Sequence, residues 1–131
     1  MRNPDFEEDG WTLDNGEEYH AAAPETFWIP PREEREALQP GDYAKLIFRI
    51  AVDHEEDDIS FERMWVLVRG RVDQTYFGIL ENEPDAIEEN EELWLGTELP
   101  FRPEHVIDII PADKDSVDLA RRPPRRPWPR D

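Results

Sequence analysis

The sequence predicts an α+β domain, mainly β: a small, strongly bent antiparallel sheet or partly open barrel with one or two short helices. Three observations carry that reading. Residues 43–52 alternate apolar and polar side chains, and residues 61–72 do the same. Turn chemistry (Pro40-Gly41-Asp42, Asp73-Gln74, Leu95-Gly96) separates the short apolar runs. Helical patterns are brief, well below the ~12–15 residues a helix needs to stand without packing.

The first strand, residues 43–52, puts Ala44, Leu46, Phe48, Ile50 and Val52 on one face and Lys45 and Arg49 on the other. The second, residues 61–72, turns Met64, Val66 and Val68 inward and Arg63, Trp65, Leu67, Arg69 and Arg71 outward. Residues 53–60 are acidic and read as the loop of a long antiparallel hairpin. Residues 75–80 form a third strand that pairs with the second, and residues 98–101 and 106–110 are the fourth and fifth. Residues 31–38 suit a helical turn or two, with Pro31 near the first helical position and Glu33 and Glu34 at the positive end of the dipole. Residues 84–92 offer another turn. Leu38-x-x-Gly41-Asp42 and Leu93-x-x-Gly96-Thr97 echo one another as shared turn chemistry rather than as a duplicated unit.

A length of 131 residues suits one domain, since two independent cores would each be too small. The formal charge of -18 is unevenly spread: residues 121–131 hold five Arg and one Asp, so they are +4 and the rest is -22. The acidity argues against binding of the body to nucleic acid or to an anionic membrane, both of which would repel it. Residues 1–39 read as an acidic arm docking on the core, with Trp11, Phe27 and Trp28 as its large apolar anchors. Residues 40–111 are the β-rich core, and residues 112–131 a polar and Arg/Pro-rich tail expected to be disordered. Within the tail, Arg121-x-x-Pro124-x-x-Pro127 fits a polyproline ligand, and a basic tail on an acidic body also suits folding back. The first residues lack the apolar stretch of a secretory signal and no run reaches membrane length, so a cytoplasmic protein is expected.

Chemical motifs are sparse. The absence of cysteine excludes disulfides, thiolate metal sites and Cys nucleophiles together. There is no Gly-x-Ser-x-Gly elbow and no phosphate-binding glycine loop. His20, His54 and His105 sit in unrelated contexts, and His54-Glu55-Glu56-Asp57-Asp58 lacks both His-Glu-x-x-His spacing and the glycine of a calcium loop. No catalytic residue, metal site or cofactor is therefore implied. One constellation stands apart from simple abundance. Of ten basic side chains in residues 1–120, Lys45, Arg49, Arg63, Arg69 and Arg71 fall on the outward faces of the first two strands, around Trp65. Such a face suits a carboxylate or phosphate held by guanidinium forks. The plainer reading is that the acidic arm or the 53–60 loop covers and neutralises it.

Gly41-Asp42-Tyr43-Ala44-Lys45-Leu46, then Glu62-Arg63-Met64-Trp65-Val66-x-Val68, Gly78-x-Leu80-x-Asn82-x-Pro84, Leu95-Gly96-Thr97-x-Leu99-x-Phe101 and Ile107-Asp108 form an ordered series. The series resembles an uncharacterised bacterial family, the domain of unknown function numbered twenty-three fourteen, over about residues 41–110. Thr97 departs from it where Gly-Asp is commoner. The resemblance implies a bacterial source and a compact α+β domain, and no reaction. Arg63, Trp65 and Asn82 are the members of the series to test first for a ligand.

The function expected from these readings is a non-enzymatic acidic binding protein for a basic protein partner, an immunity- or inhibitor-type protein being one instance. The alternative is a small-molecule or anion-binding domain, extending to an enzyme, that uses the Arg/Trp face. A third reading is self-association through the Arg-Pro tail.

Overall fold

The computed structural model describes residues 2–52, 55–81 and 95–129. Its centre is the pair formed by β2 (Tyr43–Val52) and β3 (Glu55–Val72), antiparallel with Ala44 opposite Val66 and Leu46 opposite Met64. The alternation read from the sequence puts Ala44, Leu46, Phe48, Ile50, Met64, Val66 and Val68 on one face, all buried. β4 (Thr75–Leu80) returns along β3, and β5 (Glu98–Phe101) along β4. The free edge of β2 is shared end to end. β1 (Trp11–Leu13) pairs with Phe48–Ile50, and β6 (Asp108–Ile110) pairs with Tyr43–Lys45. The result is an antiparallel sheet in the order β1-β2-β3-β4-β5, curled into a half-barrel around Trp11, Phe48, Tyr76, Leu80, Leu99, Phe101 and their neighbours. The α+β, mainly β class expected from the sequence is what forms.

Among the described residues four short helices decorate the sheet, three of them held by side-chain N-caps rather than by length. α1 (Phe6–Asp9) is capped by Asp5 and stopped by Gly10 in a left-handed conformation. α2 (Gly16–Ala22) is capped by Asn15. α3 (Arg32–Arg35) is the shorter outcome of the turn expected at residues 31–38. α4 (Lys114–Ala120) starts with a reciprocal Asp113/Ser116 capping box. The helical turn expected at residues 84–92 lies outside the described residues. No described helix is long and apolar enough to cross a membrane.

Three expectations need correction. The acidic loop placed at residues 53–60 is β-strand from Glu55 onward, with Ser60 opposite Ile50 and Ile59 opposite Ala51. Pairing along the full length of β2 overrides the poor strand propensity of Asp and Glu; Asp53 and His54 lie outside the described residues. The fifth strand is also shorter than expected: Ile107 donates to the Lys45 carbonyl at 2.9 Å, but the ladder begins only at Asp108.

The third correction concerns the tail, expected to be disordered but laid across the barrel as far as Pro129. Arg125 N–H donates to Gly96 O at 3.1 Å, Glu98 N–H donates to Arg126 O at 3.0 Å, and Thr97 and Arg126 form a parallel bridge. Trp128 then packs edge-on to Trp11 with ring centroids 5.6 Å apart, and its Nε1 donates to Arg2 O at 3.0 Å. The tail thus runs from the β5 edge to the β1 edge across the open side of the half-barrel. Its prolines forbid a helix, yet extended backbone still offers carbonyls, and a buried indole removes ~150–250 Å² from water.

The turn echo has a shared cause. Gly41 and Gly96 take φ of 100° and 87°, a region that disfavours a side chain. Gly78 serves close approach: a Cβ there would strike the carbonyl oxygen of Leu67 on the neighbouring strand.

Candidate functional site

The convex face of β2 and β3 carries the basic and aromatic residues that the alternation assigns to it. In register, Lys45 lies opposite Trp65, Ile47 opposite Arg63, and Arg49 opposite Phe61. Each cation there meets a ring. Lys45 Nζ is 5.5 Å from the centre of Trp65, and the Arg49 guanidinium lies between Phe61 (5.6 Å) and Phe6 of α1 (5.9 Å). Arg63 sits 5.3 Å over Phe27, which packs edge-on to Tyr19 of α2. The acidic arm therefore lies on this face. Asp14 N–H donates to Ile47 O at 2.9 Å, and the Asp14 carboxylate accepts from the Tyr19 hydroxyl at 2.5 Å. That hydrogen bond is the main cause holding the Tyr19 phenol above its ordinary pKa and keeping it protonated.

Arg69 and Arg71 leave the group. A bulge between Val68 and Gly70 resets the alternation, so Arg71 stands opposite Tyr76, a core residue, instead of pointing outward. Its guanidinium covers the Tyr76 ring at 5.6 Å and donates to Glu36 O at 2.7 Å. Arg69, the extra residue of the bulge, donates to Ala120 O and pairs with Glu98 at 3.0 Å. Glu98 is fully buried, and its other oxygen accepts the Trp128 N–H at 3.1 Å. The predicted set thus resolves into a cluster of Lys45, Arg49, Arg63 and Trp65, a structural tie at Arg69 and a rim contact at Arg71. Asn82 lies outside the described residues. Among the arm's expected anchors Trp11 is buried and Phe27 half-buried, whereas Trp28 is 64% exposed and anchors nothing.

Several charged groups that sequence reasoning passed over organise the arm. Arg35 is buried and donates to Pro30 O, Glu17 and Pro103 O, each at 2.8 Å, tying α3 and α2 to the 3-10 turn Pro103–His105. The Arg35 hydrogen bond is the leading cause that holds the Glu17 carboxyl below its usual value. Burial alone would raise Asp9, but its bonds to Arg2 and to the Asp5 N–H outweigh that and leave it lowered. No motif announces these contacts, whose partners stand anywhere from 4 to 68 positions apart in the chain.

Two clefts open near the arm and the β3–β4 turn. One, of about 330 Å³, lies between residues 3–13 and the 3-10 turn; the other, of about 400 Å³, lies against Val72 to Thr75. Arg102 borders both, and none of the residues predicted as a site borders either. Among the described residues no group of three or more His, Asp and Glu is placed to hold a metal ion. Compared with known proteins, no protein-family model matches the chain, and no curated protein or solved structure matches it either.

Proposed function

We propose that this is a non-enzymatic binding protein whose acidic surface receives a basic protein partner. The observation that carries the reading is how the two signs of charge are used. On the body, Arg2, Arg32, Arg35, Arg69 and Arg102 pair with carboxylates of the same chain. Lys45, Arg49, Arg63 and Arg71 lie against rings of the same chain. The acids have no such balance, and Glu7, Glu8, Glu18, Glu25, Glu33 and Glu34 of the arm are exposed. A surface of one sign at this density draws an oppositely charged partner and speeds its association. A protein that masks a toxin or inhibits a nuclease is the narrower instance, a cytoplasmic place and a bacterial source its natural setting.

Affinity capture tests the proposal. With wild-type protein as bait near ~0.1 M salt, where the Debye length is ~10 Å, a basic protein is expected to be retained. It should be released near ~1 M, where that length is ~3 Å, and should not be retained by the variant Glu18→Gln, Glu25→Gln, Glu33→Gln, Glu34→Gln. Equal retention by the variant overturns the proposal.

A further inference from the structure

We infer that the cleft between the arm and the 3-10 turn is a binding site for a small carboxylic acid with a compact apolar body. The inference concerns a surface apart from the exposed acids and stands independently of the binding function proposed above. The cleft's volume of about 330 Å³ falls at the lower end of the ~300–1,000 Å³ range of small-molecule pockets. Pro4 and Leu13 supply apolar wall, and Thr12, Arg102, Glu104 and His105 supply polar groups.

The hydrogen bonds decide which groups remain for a ligand. His105 Nδ1 accepts the Arg102 backbone N–H at 2.9 Å, so the neutral ring carries its proton on Nε2. Nε2 has no protein partner among the described residues, where no buried side-chain nitrogen or oxygen lacks one; the cleft is therefore its outlet. Burial holds the imidazole below its ordinary pKa, the nearby Arg102 adding to this while Glu104 and Asp14 oppose it. The ring is thus a neutral donor at neutral pH. Arg102 spends Nε on Glu104 at 3.0 Å and one N–H of Nη2 on Gln74 at 3.4 Å, which leaves both N–H groups of Nη1 and the second of Nη2. Two donors of different charge beside a hydroxyl match the two oxygens of a carboxylate.

The walls are built before any ligand arrives. Arg2 is held by Asp9 at 2.7 Å and stacks over Trp128 at 4.4 Å, fixing the start of the arm. β1 is in the sheet, and the 3-10 turn is tied down through Pro103 O by Arg35. Such preorganisation removes part of the ordering cost of binding.

The test is an NMR titration of the ¹⁵N-labelled full chain with isobutyrate, using isobutyramide as the neutral control. Saturable shifts at His105 Nε2 and at the Thr12 amide, with a dissociation constant on the order of 1 mM, are expected for a ligand of this size. Isobutyramide should bind at least about tenfold more weakly. Arg102→Gln should weaken isobutyrate about tenfold while leaving isobutyramide unchanged, and Thr12→Val should weaken it less. The ¹H–¹⁵N spectrum of each variant reports whether the fold is intact. Shifts that grow linearly without saturation, or equal binding of acid and amide, overturn the inference. So does undiminished isobutyrate binding in a folded Arg102→Gln.

Discussion

The N-terminal arm and the C-terminal tail are opposite in charge and alike in how they are held. Each lies outside the strands that the sequence marks most clearly, and each is fastened by one buried tryptophan, Trp11 at 1% and Trp128 at 7% exposure. The two indoles touch each other, so the ends of the chain close the half-barrel together. They differ in what they leave outside. The arm spends its basic groups on its own carboxylates and exposes Glu; the tail exposes Arg121, Arg122, Arg125 and Arg126. Burial of aromatic surface sets where a segment docks, and charge sets which surface it presents.

Truncating the anchors breaks this comparison most severely. Trp11→Ala, which empties a core position inside a strand, should cost ~3–5 kcal/mol in chemical denaturation. Trp128→Ala should cost less, about 3 kcal/mol or below, because the sheet survives without the tail. As the rings are in contact, the double variant should fall short of the sum by about 0.5–3 kcal/mol. Strict additivity would mean that the ends do not cooperate.

Glu98→Gln sharpens the comparison at the tail alone. It removes the charge facing Arg69 and keeps an acceptor for the Trp128 N–H, so a loss of about 1–3 kcal/mol is expected by the same measurement. Limited proteolysis should then cut first within residues 121–129. First cleavage within the arm would show that the carboxylate does not hold the tail.

The arm has its own signature in pH. His105 is lowered in the folded protein from an ordinary value of 6.5, so the unfolded chain takes up its proton first and stability falls as pH drops below about 6.5. Glu17 and Asp9 are lowered from 4.5 and 3.8, so the stability they contribute is present above those values and is lost as pH falls through their folded values. Denaturation midpoints should therefore decline in two stages on acidification. His105→Asn, whose Oδ1 can accept the same Arg102 N–H, should remove the first stage and spare the second. A single decline shared by both proteins would contradict the assignment.

The smallest effect belongs to the convex face. Phe61 is 55% exposed, and Phe61→Ala should change stability by no more than about 0.5 kcal/mol. A larger loss would show that the ring pairs around Arg49 are structural.

β2 and β4 are readable to the residue, β2 because alternation marks a strand whose one face is buried and β4 because the Asp73-Gln74 turn sets it off. The continuation of β3 through Glu55 was not, since its partner strand, and not its own composition, makes it a strand. Arg71 was misplaced because a bulge leaves no mark in an alternating pattern until the cross-strand register is known. The tail departs from its expectation for a related reason: four prolines in residues 121–131 describe what its backbone cannot do, while Trp128 finds its partner 117 positions away in Trp11. Of the predicted site, the cluster of Lys45, Arg49, Arg63 and Trp65 was legible from the face assignment. The cleft beside His105 was not, because it is assembled from segments about ninety residues apart.

The most direct test of the account sets arm against tail on the partner obtained by affinity capture. Calorimetric titration would compare wild type, the four-residue arm variant Glu18→Gln, Glu25→Gln, Glu33→Gln, Glu34→Gln, and the tail variant Arg121→Gln, Arg122→Gln, Arg125→Gln, Arg126→Gln. The account predicts that the arm variant loses at least about tenfold in affinity, ~1.4 kcal/mol, while the tail variant binds as wild type does. Loss with the tail variant and none with the arm variant would contradict it.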